Sequence, residues 1–147
     1  MKKYQIDTHS INPFLGFLAM FITQDIVVKF FFSEIKIKNQ FSIPNNSSII
    51  LAPTHRSRWD GLVITKAIGR RVTGKDCRFM VTKSEMKGIQ GWFLKRLGCF
   101  SIDQLSPSLS ILRYAVNLIL NKNQLVVFPE GKINKHGKKL ILKEGLY

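Results

Sequence analysis

Negative charge is scarce in this sequence: 9 Asp and Glu stand against 23 Lys and Arg, a formal net charge of +14. Such an excess calls for an anionic partner, whether nucleic acid, an acidic lipid surface or a phosphorylated substrate, and charge alone does not choose among them. Cysteine is scarcer still. Cys77 and Cys99 have neither metal-ligand spacing nor the density of a disulfide framework, so both read as small core residues of a protein in a reducing compartment. No small-residue cleavage site follows the first apolar run, which argues against a cleavable secretion signal. Internal repeats and low-complexity tracts are also missing. What is present excludes disorder: 45% hydrophobic and 11% aromatic residues in 147 positions suffice for one domain with a core, and the chain is too short to expect two.

An unbroken membrane-spanning run is lacking as well. The apolar stretch that opens at Ile11 and includes Phe14, Phe17 and Phe21 meets Gln24, Asp25 and Lys29 before reaching the roughly 20 residues that a spanning helix needs. Phe30, Phe31 and Phe32 follow. Two readings stand: an interfacial or hairpin-like anchor with aromatic rings at headgroup depth and Lys29 snorkelling, or a helix packed on the domain's own core. The clustering of Phe in a basic chain favours the anchor. Residues 1–34 are therefore read as a membrane-associating segment and residues 35–147 as the domain proper.

Within that domain, Ile35 and Ile37 alternate with Lys36 and Lys38, the pattern of a half-exposed strand. Pro44 to Ser47 is a turn leading into the apolar run Ile49 to Ala52, a buried strand. Gly61 to Ile68 is a short helix, and Gly69 to Lys75 a basic loop. Arg78 to Thr82 is a second strand, Gly88 and Gly91 loosen the chain around Trp92, and Gly98 to Asp103 is a third. Ser106 as N-cap and Pro107 in the first turn open the clearest helix, whose apolar stripe is Leu109, Leu112, Val116, Ile119 and Leu120. Gln124 to Phe128 is a buried strand ending in the turn Pro129-Glu130-Gly131, and a lysine-rich tail follows. Strands alternating with helices predict an α/β fold with a mostly parallel central sheet flanked by helices, preceded by the N-terminal apolar segment.

The candidate chemistry lies in Thr54-His55-Arg56-Ser57-Arg58-Trp59-Asp60. His55 stands where a strand ends and Asp60 where a helix begins. Asp60 is explained either as a helix N-cap or as a carboxylate folded back onto the His55 ring, fixing its tautomer and leaving the other nitrogen to take a proton. Arg56 and Arg58 are read either as phosphate contacts or as solvated turn charges. Ser57 is assigned to local backbone bonding.

Two strand-end motifs, His55-x-x-x-x-Asp60 and Phe128-Pro129-Glu130-Gly131, occur together in that order. With Lys83-Ser84-Glu85 and Gly91-Trp92 between them, the chain from about Ile35 onward resembles the glycerolipid acyltransferases, which include glycerol-3-phosphate and lysophosphatidic acid acyltransferases. The resemblance implies transfer of a fatty acyl group from an acyl-CoA or acyl carrier protein thioester to a hydroxyl of a glycerol phosphate or lysophospholipid, at the cytoplasmic face of a membrane. His55 would be the general base and Asp60 its orienting acid. Arg56, Arg58, Glu130 and Gly131 would bind substrate, with no metal and no bound cofactor. Two departures are visible. The family's second block ends in a phosphate-holding arginine where this chain has Gln104, and a fourth apolar block is expected downstream of Leu142 to Leu146. The chain thus resembles a C-terminally truncated member, which leaves a catalytically inactive membrane-binding relative as an alternative. A nucleic-acid-binding domain is disfavoured, because no such motif appears and the aromatics do not alternate with basic residues.

Overall fold

The computed structural model describes residues 11–38 and 47–134. The 1–10 segment, most of the Pro44 to Ser47 turn and the tail from 135 onward, with the Leu142 to Leu146 block, lie outside these. Four short strands form one parallel sheet in the order β1-β4-β2-β3: β1 Ile49–Leu51, β2 Cys77–Thr82, β3 Phe100–Ile102 and β4 Gln124–Val126. The helices are α1 Pro13–Phe21, α2 Val28–Phe31, α3 Asp60–Ile68, α4 Arg70–Thr73, α5 Gly88–Arg96 and α6 Leu109–Leu120. The fold is α/β with a parallel sheet flanked by helices. β4 is central, hydrogen-bonded to β1 on one side and β2 on the other, and all three of its residues are buried. A strand covered on both faces reads as a continuous apolar run, as Leu125 to Phe128 does.

Alternation along the strands distributes the two layers. Leu125, Met80 and Phe100 face α6, where they pack with Ile111, Tyr114, Ala115 and Leu118, and the Phe100 and Tyr114 rings meet edge to face at 5.1 Å. On the other face the Gln124 amide donates to the Thr73 hydroxyl of α4 at 2.6 Å, and Phe79 lies under Gly61 of α3. Both cysteines are buried thiols, which burial pushes up to about 12. They are inert core residues at neutral pH.

Several elements depart from the sequence reading. The N-terminal run is not cut short: α1, a π-helical stretch Ile22–Val27 and α2 form one helix, Pro13–Phe31, of 19 residues, long and apolar enough by length and composition to cross a membrane. It is not a hairpin. Gln24, Asp25 and Lys29 do not break it, because the first two turn toward the domain. Gln24 is buried, and the Asp25 carboxylate takes two hydrogen bonds from the Arg71 guanidinium, at 2.7 and 2.5 Å. Ile35 to Lys38 forms no strand; it pairs with no neighbour among the described residues, and Ile37 is exposed. Alternation without a partner edge is insufficient. The basic loop contains α4, whose Arg70 and Arg71 are engaged by Asp76 and Asp25. The segment around Trp92 is the helix α5, with Gly91 required because a Cβ there would sit 2.2 Å from the Met86 backbone. α6 begins two residues later than expected: Ser108, not Ser106, is the N-cap, its hydroxyl accepting from the Ile111 amide. Its expected stripe faces outward for the most part, with Leu109 71% and Leu120 72% exposed, because the helix is apolar on two sides and the sheet takes the one bearing Ala115 and Leu118.

Phe100 is 1% exposed at the centre of the α6-facing core, whereas Leu105 is 96% exposed. Phe100→Ala should destabilise the fold by about 3–5 kcal/mol, and Leu105→Ala by less than about 0.5 kcal/mol. Chemical denaturation of the two variants checks the difference.

Candidate active site

In a parallel sheet every strand delivers its carboxyl end to the same edge, and open α/β folds place their sites there. β1 leads to His55, β4 to Phe128, Glu130 and Gly131, β2 to Lys83, and β3 to Asp103 and Gln104. β1 and β4 are neighbours, so the two motifs meet.

The turn from His55 to Asp60 is closed by one carboxylate. Asp60 Oδ2 accepts the Arg56 amide at 2.6 Å and the Ser57 amide at 2.9 Å, and lies 3.0 Å from His55 Nδ1. Asp60 Oδ1 accepts the Ser57 hydroxyl at 2.7 Å. Asp60 is the first helical residue of α3, and Trp59 occupies the N-cap position without a side-chain cap. Asp60 is therefore not a conventional N-cap. Its carboxylate is turned back into the preceding loop instead. Ser57 bonds local backbone as assigned, its hydroxyl accepting the Trp59 amide at 3.1 Å, and it also donates to the carboxylate.

Burial opposes ionisation of Asp60. Hydrogen bonds from the Ser57 amide, the His55 ring, the Ser57 hydroxyl and the Arg56 amide outweigh it and hold the carboxyl below its ordinary value of 3.8. An ionised carboxylate only accepts, so it favours a proton on His55 Nδ1, the tautomer that leaves Nε2 as the acceptor.

The second motif holds the histidine from below. The Glu130 carboxylate is buried and accepts the His55 backbone amide at 2.7 Å, and the Phe128 ring stacks on the imidazole at 4.0 Å between centroids. The His55 carbonyl accepts the Asn134 amide at 2.7 Å. Gly131 has φ of 65°, in the left-handed region open to glycine, and its carbonyl accepts the Gln104 amide at 2.8 Å. Lys83 and Asp103, from the ends of β2 and β3, pair at 3.7 Å.

His55, Asp60, Glu130 and Gly131 thus converge on one strand edge. Arg56 and Arg58 extend outward from the turn and are exposed. Two residues not named as site residues by sequence reasoning also belong here: Phe128, which fixes the ring plane, and Gln104, which ties β3 to the Gly131 turn. Their common signal is position, immediately after a strand's carboxyl end. Trp59 is a third, its ring packed at 4.5 Å on Phe31 and at 6.2 Å on Phe32 from the N-terminal helix.

The lowered pKa of Asp60 sets a sign. A folded value below the unfolded one adds stability that is complete above the unfolded pKa and is lost as pH falls through the folded pKa. Melting temperature measured between about pH 2 and 6 should fall more steeply with acid in the wild type than in Asp60→Asn, and the gap between them should close at the acid end.

Residues 34–147 match the Acyltransferase family. The chain is 32% identical over 112 residues to the 1-acyl-sn-glycerol-3-phosphate acyltransferase of Streptococcus pneumoniae, an alignment covering 71% of this chain and 41% of that protein. The chain therefore spans less than half the length of this relative. With the match extending over most of its residues, the chain belongs to the acyltransferase family.

Proposed function

We propose that this protein is an O-acyltransferase of phospholipid synthesis, moving a fatty acyl group from an acyl-CoA or acyl carrier protein thioester to a hydroxyl of a glycerol phosphate or lysophospholipid. The observation that carries this reading is the His55–Asp60 pair at 3.0 Å, held at the strand edge beside Glu130 and Gly131. Family membership and the activity for which the relative is named support it.

A neutral hydroxyl attacks a thioester slowly. In the proposed mechanism His55 Nε2 accepts the hydroxyl proton as the oxygen bonds to the acyl carbon, and Asp60 stabilises the imidazolium that forms. The tetrahedral adduct collapses with cleavage of the carbon–sulfur bond, and the departing thiolate takes the proton back from His55. The acceptor's own oxygen is the nucleophile, so no acyl-enzyme arises and Ser57 remains part of the turn. Glu130 acts by holding the His55 backbone, beside which the acceptor would lie on the Gly131 turn. Arg56 and Arg58, exposed beside the histidine, are assigned to the phosphate of acceptor or donor. Gln104, bound to the Gly131 carbonyl, contributes no charge to that task.

In the same proposal residues 35–147 form the catalytic domain and residues 1–34 the membrane-associating segment. The 19-residue helix lies along the domain rather than projecting from it: the Asn12 amide bonds the Arg96 carbonyl near one end, Asp25 bonds Arg71 midway, and Phe31 packs on Trp59 at the other end. A helix held at three points along its length favours lying on the bilayer with its Phe-rich face inward over crossing it.

His55→Ala should lower acyl transfer by about 10³-fold or more, and Asp60→Asn by about 10²-fold or more at nearly unchanged KM. The assay is transfer of labelled acyl groups to glycerol 3-phosphate and to lysophosphatidic acid. Undiminished turnover by folded His55→Ala would overturn the mechanism.

A further inference from the structure

α5 presents its apolar side to the outside. Ile89, Trp92, Phe93 and Arg96 recur at i, i+3, i+4 and i+7, which places them on one helical face. Ile89 is 80% exposed, Trp92 45% and Phe93 47%, while Gly91 on the opposite side is buried against Met86. Nothing among the described residues covers this face.

Its charges point to an occupant. α5 contains Lys95 and Arg96 and no acidic residue, and Lys87 precedes it as N-cap. The nearby acid, Glu85, is engaged by the Gln90 amide at 2.6 Å. The Arg96 guanidinium lies 3.8 Å from the Trp92 ring centroid, so cation and aromatic share one patch. Exposed Trp and Phe bordered by Lys and Arg suit the headgroup boundary of an anionic bilayer, where rings enter the apolar side and cations reach phosphate. The outward stripe of α6 is equally apolar, but Arg113 is its helix's one basic residue and nothing indicates what covers it. α5, in contrast, is tied to the start of the N-terminal helix through the Asn12–Arg96 hydrogen bond at 3.1 Å.

We infer that α5 is a second membrane-contact element, seating Ile89, Trp92 and Phe93 at the headgroup boundary of an anionic bilayer with Lys87 and Arg96 at the lipid phosphates. This rests on the membrane reading above and adds to it a contact made by the catalytic domain itself. With two elements engaged, the domain's rotation about the helix axis is restricted, and the strand edge bearing His55 keeps one orientation to the lipid surface.

The chain has two tryptophans, so Trp59→Phe leaves Trp92 as the single reporter in the full-length protein. Mixed with vesicles of equal phosphatidylcholine and phosphatidylglycerol, this protein should show a blue shift of Trp92 emission and quenching by lipids brominated near the headgroup. Replacing Ile89 and Phe93 together by Gln should weaken vesicle binding about tenfold. Replacing Lys87 and Arg96 together by Gln should weaken binding about tenfold to the anionic vesicles and little to pure phosphatidylcholine. Should the pair of apolar substitutions impair folding, Trp92 quenching in the parent protein decides alone. Vesicle binding with unshifted, unquenched Trp92 would overturn the α5 contact and leave the N-terminal anchor intact. Failure of the parent to bind vesicles at all would overturn both, and burial of Trp92 by self-association without lipid would overturn the α5 contact.

Discussion

The carboxylate of Asp60 is the constraint on which the site depends. It gathers two backbone amides, a hydroxyl and an imidazole N–H from three successive residues, His55 to Ser57. Those donors would otherwise have to be satisfied by water in a turn that is partly buried. Position strengthens the arrangement, since Asp60 opens α3 and a negative charge is favoured at a helix N-terminus. Desolvation works against the charge and loses to the combined hydrogen bonds. One side chain thereby shapes the loop, starts the helix and selects the imidazole tautomer. Removing it would leave several donors unsatisfied at once, so the folding role and the chemical role of Asp60 cannot be separated by truncation to Ala. Replacement by Asn keeps one oxygen as acceptor and introduces a donor, which makes it the more informative change.

The sheet order then determines what the histidine meets. Because β4 enters between β1 and β2, the chain after β4 emerges beside His55 rather than at a distant edge. Glu130 takes the His55 amide, Phe128 covers the ring, and the Gly131 turn is held by Gln104 from β3. Contacts thus run from the end of β3 through the β4 turn to the end of β1. A displacement of any one strand end would shift the imidazole, although β3 and β1 never touch in the sheet. Strand ends joined by short hydrogen bonds hold the imidazole in one position, as the proposed proton transfer requires.

Much of this was legible in the sequence. β1, β2 and β4 are apolar runs bounded by turn residues, and the parallel α/β class follows from their alternation with helices. The pairing of His55 with Asp60 was readable from a spacing that lets a turn close. The readings that failed did so for identifiable reasons. α5 was missed because Gly88 and Gly91 dilute its helix propensity around a short apolar run. α6 was found, but its outward stripe was mistaken for the inward one, since a helix apolar on both sides carries no sign of which side is covered. The alternation in Ile35 to Lys38 described a strand that joins no neighbour of the sheet among the described residues. Asp25 appeared to interrupt the N-terminal helix because its partner, Arg71, lies 46 residues away in a segment taken for a loop. Local pattern identifies elements well where one face alone is apolar, and poorly where both are.

Trp59 joins the two halves of this account. It lies between His55 and Asp60 in sequence, yet its ring is packed against Phe31 and Phe32 at the end of the N-terminal helix. In the proposed reaction an acyl group has conflicting needs: its chain is stable in an apolar medium, while the reacting carbonyl has to reach a polar site. The aromatic contact places apolar side chains of the helix end directly against the loop that carries His55. Helix and turn are further linked through α3 and α4, where Lys66 donates to the Gln24 carbonyl at 3.4 Å and Arg71 holds Asp25. Whatever the helix binds, its position bears on α3, and α3 begins at Asp60. The N-terminal helix thus touches both the turn that holds the histidine, through Trp59, and the elements that follow it, which makes it part of the mechanical support of the site.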